Sequence, residues 1–470
     1  MIPAPLYTPL YYQIMLVVVV GSALLYSFTP GHPGELRHFN VVGTVVICVG
    51  VVLFMGLRPI SVVFIDMRAY AGSYEHVQAG EEGRFSDPLF NVLMRLCAPF
   101  LSAQGWFVFC AFIYIAPLAL AARRVHGAWG FPVFLAFLTS LSFWAYGVNG
   151  IRNGMAGSVL ILAFAFHDRP LVMLPVTAAA CAIHASVLLP AGAFLLVRYF
   201  SRTEAWLAFW AACAVASFAV RNLGERLLSI YNPFASDSRV EGYIVLGKRW
   251  GFRADFLAYS IFPVLATLVL AAPTRAALRR FVVGVRWRAV FGWPSVRSAM
   301  RTVRTGATRG GSVQRPARVG AKFDVRLFGR TSRGQVLRSG LAASRPQPQI
   351  RERSKTSTSE VAPSARATID ESPWDSLPWV RMLRSDAFYA RLVNTYLVAN
   401  AVWILVINAN CSNRFAYLSW FMLPWVLLYP FVPGRFNSRP RTGLIAAVLG
   451  AQYLFTCLME FVVYPLRGMQ

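Results

Sequence analysis

Charged side chains are scarce in this sequence. Only 14% of the 470 residues are Asp, Glu, Lys or Arg, whereas soluble globular proteins contain roughly a quarter. Apolar residues make up 56% of the chain, and they recur in runs of about twenty, the length that crosses roughly 30 Å of hydrocarbon. This composition excludes an ordinary soluble domain and predicts a polytopic, all-α membrane helix bundle.

Cysteine is also sparse, and its seven positions are scattered singly, with no CxxC or Cys/His spacing. The sequence therefore predicts neither a disulfide framework nor a zinc site. DxD and HxxxH pairs, a GxxxxGKS/T phosphate loop and a GxSxG elbow are missing as well. Their absence argues against a divalent-metal site, ATP hydrolysis and a serine hydrolase, so we expect no metal and no cofactor.

Apolar runs predict about twelve membrane spans. These are 11–28, 41–57, 104–121, 130–148, 154–167, 171–183, 185–197, 204–220, 255–273, 388–407, 416–432 and 442–463. Three of them, around His184, are short enough to be tilted or broken helices. The spans divide into an N-terminal bundle over residues 1–273 and C-terminal helices over 386–470 that complete it.

Positive charge is concentrated between these two groups of spans. Residues 274–385 carry 23 Arg or Lys against 6 Asp or Glu, in a Gly-, Ser- and Pro-rich segment with too little apolar surface to fold alone. We expect a long, mostly disordered cytoplasmic loop, because basic residues concentrate on the cytoplasmic side of membrane proteins. The segment lacks interleaved aromatics, so anionic lipid of the bilayer is favoured over nucleic acid as its partner.

This orientation places both termini and five segments on the outer face. The segments are 58–103, 149–153, the turn at His184, 221–254 and 408–415, and they carry most of the polar residues that could take part in chemistry. Segment 221–254 holds six basic residues, which disagrees with the charge rule. We therefore expect any chemistry to occur on the outer side of the membrane.

Three helices predicted to enter the membrane from that side begin with an arginine. They contain Arg152 in NGIRNGMAG, Arg253 in RWGFRADFLAYS and Arg414 in NCSNRFAYLSW. A helix N-terminus favours an anion, and a guanidinium offers a planar fork that suits phosphate oxygens. We expect the three arginines to converge on one pocket that binds a pyrophosphate group.

The simpler alternative is that each arginine only reaches lipid phosphates at the membrane surface. It does not explain the turn and capping residues beside them, among them Asn153, Asp255 and Asn413. Charged groups within membrane segments are costly, so their default interpretation is functional.

Candidate proton acceptors lie at the same predicted face. Asp66 and Tyr70 are four residues apart and would share a helix face. Asp87 precedes Pro88 at the start of a short amphipathic helix, where it can cap the helix at the membrane interface. His184 stands alone in AACAIHASVLLP, a setting equally compatible with packing and with catalysis. Asp66 and His184 are both candidates for a catalytic base.

The motifs that carry these residues, and their order along the chain, resemble those of the EpsG family of Wzy-like exopolysaccharide polymerases, which are membrane glycosyltransferases. The resemblance rests on DMRAY, SDPLFNVL, NGIRNGMA, IHASVLLP, GFRADFLAYS and SNRFAYLSWFMLPWVLLYP. Asn153 stands where the family usually has Gln, and Asp87 stands where it usually has Glu. The 274–385 loop is far longer than is usual for the family.

The resemblance implies a metal-independent glycosyltransferase with a GT-C-like bundle in the bacterial inner membrane. Its substrate would be a polyprenyl-diphosphate-linked oligosaccharide, joined into exopolysaccharide at the extracytoplasmic face beside chain-length and export proteins. Asp66, Arg152 and His184 would be catalytic, and the base would be either Asp66 or His184. The residues expected to bind substrate are Tyr70, Asp87, Asn153, Arg253, Asn413 and Arg414. A lipid-linked sugar flippase, a membrane acyltransferase and a structural membrane subunit are the alternatives.

Overall fold

The computed structural model describes residues 2–28, 33–83, 85–220, 253–271, 377–407, 412–432 and 441–466, with the side chains of 33–35 and 412–415 outside the description. Across these ranges the regular elements are all helical, with no β-strand, which confirms the predicted all-α class. The described residues before 272 and those after 376 belong to one compact unit. Most of the predicted basic loop lies outside the described residues, so its disorder stays a prediction.

Seventeen helices make up the described framework. In chain order they are α1 (Tyr7–Phe28), α2 (Pro33–Gly56), α3 (Met67–Gln78), α4 (Pro88–Cys97), α5 (Ala103–His126), α6 (Gly130–Leu138), α7 (Phe143–Val148), α8 (Ile151–Ala165), α9 (Pro170–Ile183), α10 (Leu188–Leu196), α11 (Thr203–Ala219), α12 (Ala254–Ala271), α13 (Pro378–Ser385), α14 (Ala387–Ile404), α15 (Ser412–Trp420), α16 (Leu423–Leu428) and α17 (Thr442–Leu458). A π-helical turn, Met459–Val463, and the short helix Tyr464–Leu466 continue α17.

Five helical stretches are long and apolar enough to cross a membrane. They are Ala4–Phe28, Leu36–Gly56, Ala103–Leu138, Ala254–Ala271 and Thr442–Leu466. Other apolar helices in the described ranges have only 10–17 residues. The chain therefore has the helices of a multi-pass membrane protein, and the total of twelve spans stays a prediction.

Two predicted spans are interrupted. The prediction of one helix over 130–148 is wrong, because α6 ends at Leu138 and α7 begins at Phe143. The hydroxyl of Thr139 donates to the carbonyl of Leu135 at 2.9 Å, and local side-chain bonds of this kind compete with helix propagation. The predicted span 416–432 is likewise divided into α15 and α16. Pro424, in the first turn of α16, has no N–H to continue the preceding helix.

A buried polar network joins helices that are distant in sequence. Asn400 of α14 accepts a hydrogen bond from the Trp210 indole at 2.7 Å and donates to the hydroxyls of Ser260 and Ser419 at 3.0 and 2.9 Å. Its partners lie on α11, α12 and α15. Buried polar groups are costly when unpaired, and this network satisfies them while fixing how the four helices pack.

The helix that carries Arg152 is held in place by close contacts with its neighbours. Helix α8 packs against α5 and α9, and α4 also packs against α9. A Cβ at Gly154 would lie 2.9 Å from the carbonyl oxygen of Tyr146 and 3.0 Å from the Tyr114 ring. Glycine at this position thus lets the start of α8 lie close to α5 and α7, and the α4–α9 contact brings Asp87 near His184.

Candidate functional site

One carboxylate holds both a guanidinium and an imidazole at the start of α8. Asp87 Oδ2 accepts a hydrogen bond from Arg152 Nη1, and Asp87 Oδ1 lies 2.8 Å from His184 Nδ1. The side chains of Arg152 and Asp87 are only 8% and 7% exposed, and that of His184 is 23% exposed. The three residues, hereafter the Asp87 cluster, form a nearly buried ionic centre with one partly open member.

Arg152 is fixed on two further sides. Its guanidinium carbon lies 4.3 Å from the centre of the Phe85 ring, a favourable cation–π geometry. Its Nε lies 3.4 Å from the Tyr70 hydroxyl, which accepts a long hydrogen bond. Phe85 was missed by the sequence prediction, although it lies only two residues before Asp87.

His184 lies where α9 ends, in extended backbone with φ −160° and ψ 127°. The sequence correctly predicted a helix break here. Burial raises the pKa of Asp87, but the hydrogen bond to His184 and the charge of Arg152 lower it by more. The net pKa is therefore depressed, and the carboxylate carries no proton. Nδ1 of His184 must then donate the hydrogen bond. In the neutral imidazole this leaves Nε2 as the proton acceptor.

Asn153, predicted to bind substrate, is bonded within the protein. Its side-chain oxygen accepts a hydrogen bond from the hydroxyl of Ser186. This contact joins the first turn of α8 to the 3-10 turn that follows His184, so it helps to fix the position of Arg152 relative to His184. Ser186 was not singled out in the sequence, although it stands two residues after the histidine.

Two helix-capping predictions need correction. Asp87 does occupy the position before α4, with Pro88 following, but its side chain makes no capping hydrogen bond, because both oxygens are used by Arg152 and His184. Gly150, not an asparagine, precedes α8, again without a side-chain cap. At Asp87, tertiary ion pairing has replaced local capping.

Tyr70 contacts Arg152 of the cluster, and Asp66 lies one helical turn before Tyr70. Asp66 is half-buried at the start of α3, one turn from Tyr70, as the sequence predicted. It makes no hydrogen bond to Arg152, Asp87 or His184. Burial raises the pKa of the Tyr70 phenol despite the opposing charge of Arg152, so the phenol stays protonated. Of the two predicted bases, only His184 has a carboxylate that orients it.

Arg253 has a carboxylate partner of its own. It forms two hydrogen bonds to Asp255, at 3.0 and 2.7 Å, and its guanidinium carbon lies 3.5 Å from the centre of the Phe256 ring. Neither of these two partners belongs to the Asp87 cluster. Asn413 and Arg414 lie in α15, but their side chains are outside the described residues. Convergence of the three arginines on one pocket therefore stays a prediction.

Among the described residues, no group of three His, Cys, Asp or Glu side chains lies close enough to hold a metal ion. Asp87 and His184 form only a pair, and both of their facing atoms are bonded to each other. The functional groups that these residues offer to a ligand are a guanidinium, an imidazole and a phenol.

A family model matches residues 42–272, just under half of the chain. The matching family is EpsG. The resemblance inferred from the motifs is thereby confirmed over this region, and the EpsG match contains every member of the Asp87 cluster together with Asp66 and Arg253. No curated protein and no solved structure matches the chain significantly.

Proposed function

We propose that this protein is a polysaccharide polymerase that joins polyprenyl-diphosphate-linked oligosaccharide repeat units at the outer face of the bacterial inner membrane. The observation that carries the proposal is the Asp87 carboxylate bound to both Arg152 and His184. It supplies an oriented base and a fixed cation within one cluster, and glycosyl transfer from a diphosphate needs both. The match to the EpsG family supports the same reaction class.

The base in this proposal is His184. The hydroxyl oxygen of the acceptor sugar attacks the anomeric carbon of the donor, and Nε2 of His184 takes the hydroxyl proton. Asp87 accepts the hydrogen bond from Nδ1, which fixes the tautomer and stabilises the imidazolium that forms. The logic is that of other carboxylate–histidine pairs in catalysis. Asp66 has no such arrangement and is assigned a supporting role near the acceptor.

Arg152 receives the leaving group. The bond between the anomeric carbon and the diphosphate oxygen breaks, and the diphosphate departs with the electron pair and a growing negative charge. A guanidinium already held by Asp87, Tyr70 and Phe85 needs little reorganisation to meet that charge, which is the condition for efficient electrostatic catalysis. We assign a role in binding or positioning the rest of the lipid-linked substrate to Arg253, Arg414, Asn413 and Asn153.

Two alternatives use parts of the same site. A flippase for a lipid-linked sugar would bind the diphosphate but would have no use for an oriented imidazole, so the Asp87–His184 bond favours a transferase. A membrane acyltransferase could use the histidine, and the EpsG match favours the polymerase over it.

The test is elongation in proteoliposomes that contain purified protein and a radiolabelled lipid-linked repeat unit. We expect a ladder of longer glycans from the native protein and single units only from Arg152→Ala. Arg152→Lys should recover little activity, since an ammonium cannot reproduce the planar fork. Arg124→Ala is the matched control, because Arg124 also pairs with an acid, Asp168 at 2.6 Å, at the opposite end of α8.

The three outcomes separate the candidate functions. Translocation of labelled lipid without lengthening would indicate a flippase, and transfer of an acyl group at constant glycan length would indicate an acyltransferase. A normal ladder from folded Arg152→Ala would refute the proposed role of the Asp87 cluster.

A further inference from the structure

One buried arginine lies outside the Asp87 cluster and was not singled out in the sequence. Arg58 follows α2 and is only 1% exposed. The structure shows no carboxylate partner for it among the described residues, in contrast to Arg124, Arg152 and Arg253. Burial lowers the pKa of Arg58 to about 10, so it is still charged at neutral pH. A buried cation without a counter-charge is costly and calls for another source of stabilisation.

Two backbone carbonyls at helix ends provide that stabilisation. Nη1 of Arg58 donates to the carbonyl of Met55, in the last turn of α2. Nη2 donates at 3.3 Å to the carbonyl of Val148, the last residue of α7. Carbonyls at helix C-termini have no partner within the helix, and cations near them are favourable. Arg58 therefore caps two helices with one guanidinium.

Aromatic rings and a glutamine hold this cap in place. The guanidinium carbon lies 5.3 Å from the Phe64 ring centre and 5.6 Å from that of Phe107. Gln104 of α5 donates to the backbone carbonyls of Gly56 and Arg58 at 2.6 and 3.0 Å. Both the backbone and the guanidinium of Arg58 are thus held in place, while its Nε has no hydrogen-bond partner among the described residues.

The position of this cap connects it to the cluster. Val148 ends α7, only Asn149 and Gly150 separate it from α8, and Arg152 lies in the first turn of α8. Arg58 also stands at the base of the segment that leads to α3, which carries Tyr70. The segment that leads to Arg152 and the segment that leads to Tyr70 therefore both begin beside the Arg58 cap.

We propose that Arg58 is a positioning residue for Arg152, holding the α7–α8 turn through the Val148 carbonyl so that the Arg152 guanidinium meets Asp87 and the substrate. The expected effect of Arg58 on turnover rests on the proposed function. Its expected effect on the Arg152–Asp87 pair does not depend on that function. Arg58 makes no contact with the substrate in this scheme.

The experiment compares Arg58→Met, Arg58→Lys and Arg124→Met in the elongation assay and in thermal unfolding. Arg124 is matched to Arg58, because it also donates to a helix-terminal carbonyl, that of Ala165 at 3.0 Å, and lies 4.3 Å from an aromatic ring centre, that of Phe166. It differs in its pairing with Asp168 and in capping the far end of α8. We expect Arg58→Met to lower turnover by about 100-fold, the scale of a small misplacement of a catalytic group. Arg58→Lys should restore only part of it, because an ammonium cannot reproduce the guanidinium fork that joins the two carbonyls, and Arg124→Met should leave turnover near the native value.

A double-variant cycle tests whether Arg58 acts through Arg152. In the Arg152→Lys background, Arg58→Met should cost only a small further factor, because residues that act through each other are not additive. The same cycle with Asp87→Asn, read from unfolding midpoints, should show coupling without any substrate. Additive effects in both cycles, or equal losses from Arg58→Met and Arg124→Met, would overturn the inference. A native protein that lengthens no glycan would refute the proposed function alone, and the unfolding cycle would still decide the role of Arg58.

Discussion

The substitution Asp87→Asn changes both bonds that the carboxylate makes, to Arg152 and to His184. Asparagine keeps the size of the side chain but carries no charge, so Arg152, with 8% of its side chain exposed, is left as a buried cation without its counter-ion. Removing one partner of a buried ion pair costs about 3–5 kcal/mol. We expect a loss of unfolding free energy in that range.

The effect on turnover should be larger than the effect on stability. An amide at position 87 offers an N–H₂ or a neutral oxygen to His184 Nδ1 and no longer selects the tautomer with a free Nε2. A wrong tautomer in a carboxylate–histidine pair lowers turnover by about 10⁴-fold. We expect elongation to fall by this order while the protein remains folded.

The assay pairs elongation in proteoliposomes with unfolding in detergent, and a double variant gives the decisive comparison. Asp87→Asn combined with Arg152→Gln removes both charges and should recover most of the lost stability, since replacing both members of a buried pair is often close to neutral. It should recover no turnover. Native turnover in Asp87→Asn, or a double variant less stable than the single one, would refute the assignment of Asp87 as the shared partner.

Three further predictions follow from the same geometry. His184→Gln should abolish elongation, whereas Asp66→Asn should retain most of it; the reverse result in the ladder assay would assign the base to Asp66. Because the folded pKa of Asp87 is depressed below its usual 3.8, its pairing stabilises the protein fully above that pH and is lost as the pH falls through the folded pKa; acid titration of unfolding should show this loss in the native protein and not in Asp87→Asn. Gly154→Ala should destabilise by about 1–3 kcal/mol through overpacking, whereas Gly157→Ala, whose Cβ would lie 3.6 Å from Phe421, should be neutral or slightly stabilising; equal unfolding midpoints for the two variants would contradict the packing described for α8.

Local patterns predicted the elements that depend on local physics. Apolar run length identified the long helices, Pro88 marked the start of α4, and His184 marked a break between two short helices. The interruption after Leu138 was missed, because the side-chain bonds of Thr139 to the preceding turn are not visible in hydropathy. Run length alone cannot separate one span from two short helices placed end to end.

The site was predicted as a set of residues but not as a set of contacts. Asp87 lies 65 residues from Arg152 and 97 from His184, and no spacing rule reaches across such separations. The pairing of Arg253 with Asp255 was accessible, since the two are only two residues apart. Arg58 carried no sequence signal, because its partners are backbone carbonyls, which every residue possesses.

The buried pairing of Arg152 with Asp87 bears on selectivity in a lipid environment. A bilayer presents a dense layer of phosphodiester headgroups, each with a single negative charge on its phosphate, and an unpaired guanidinium would be occupied by whichever lipid drifted past. A headgroup phosphate with one negative charge gains little binding free energy by displacing a carboxylate that is already bound to the guanidinium. A diphosphate carries more negative charge and more oxygen atoms, so it competes with the carboxylate better. In the proposed mechanism, the internal counter-ion would therefore exclude the common lipids and keep Arg152 for a rarer, more highly charged one.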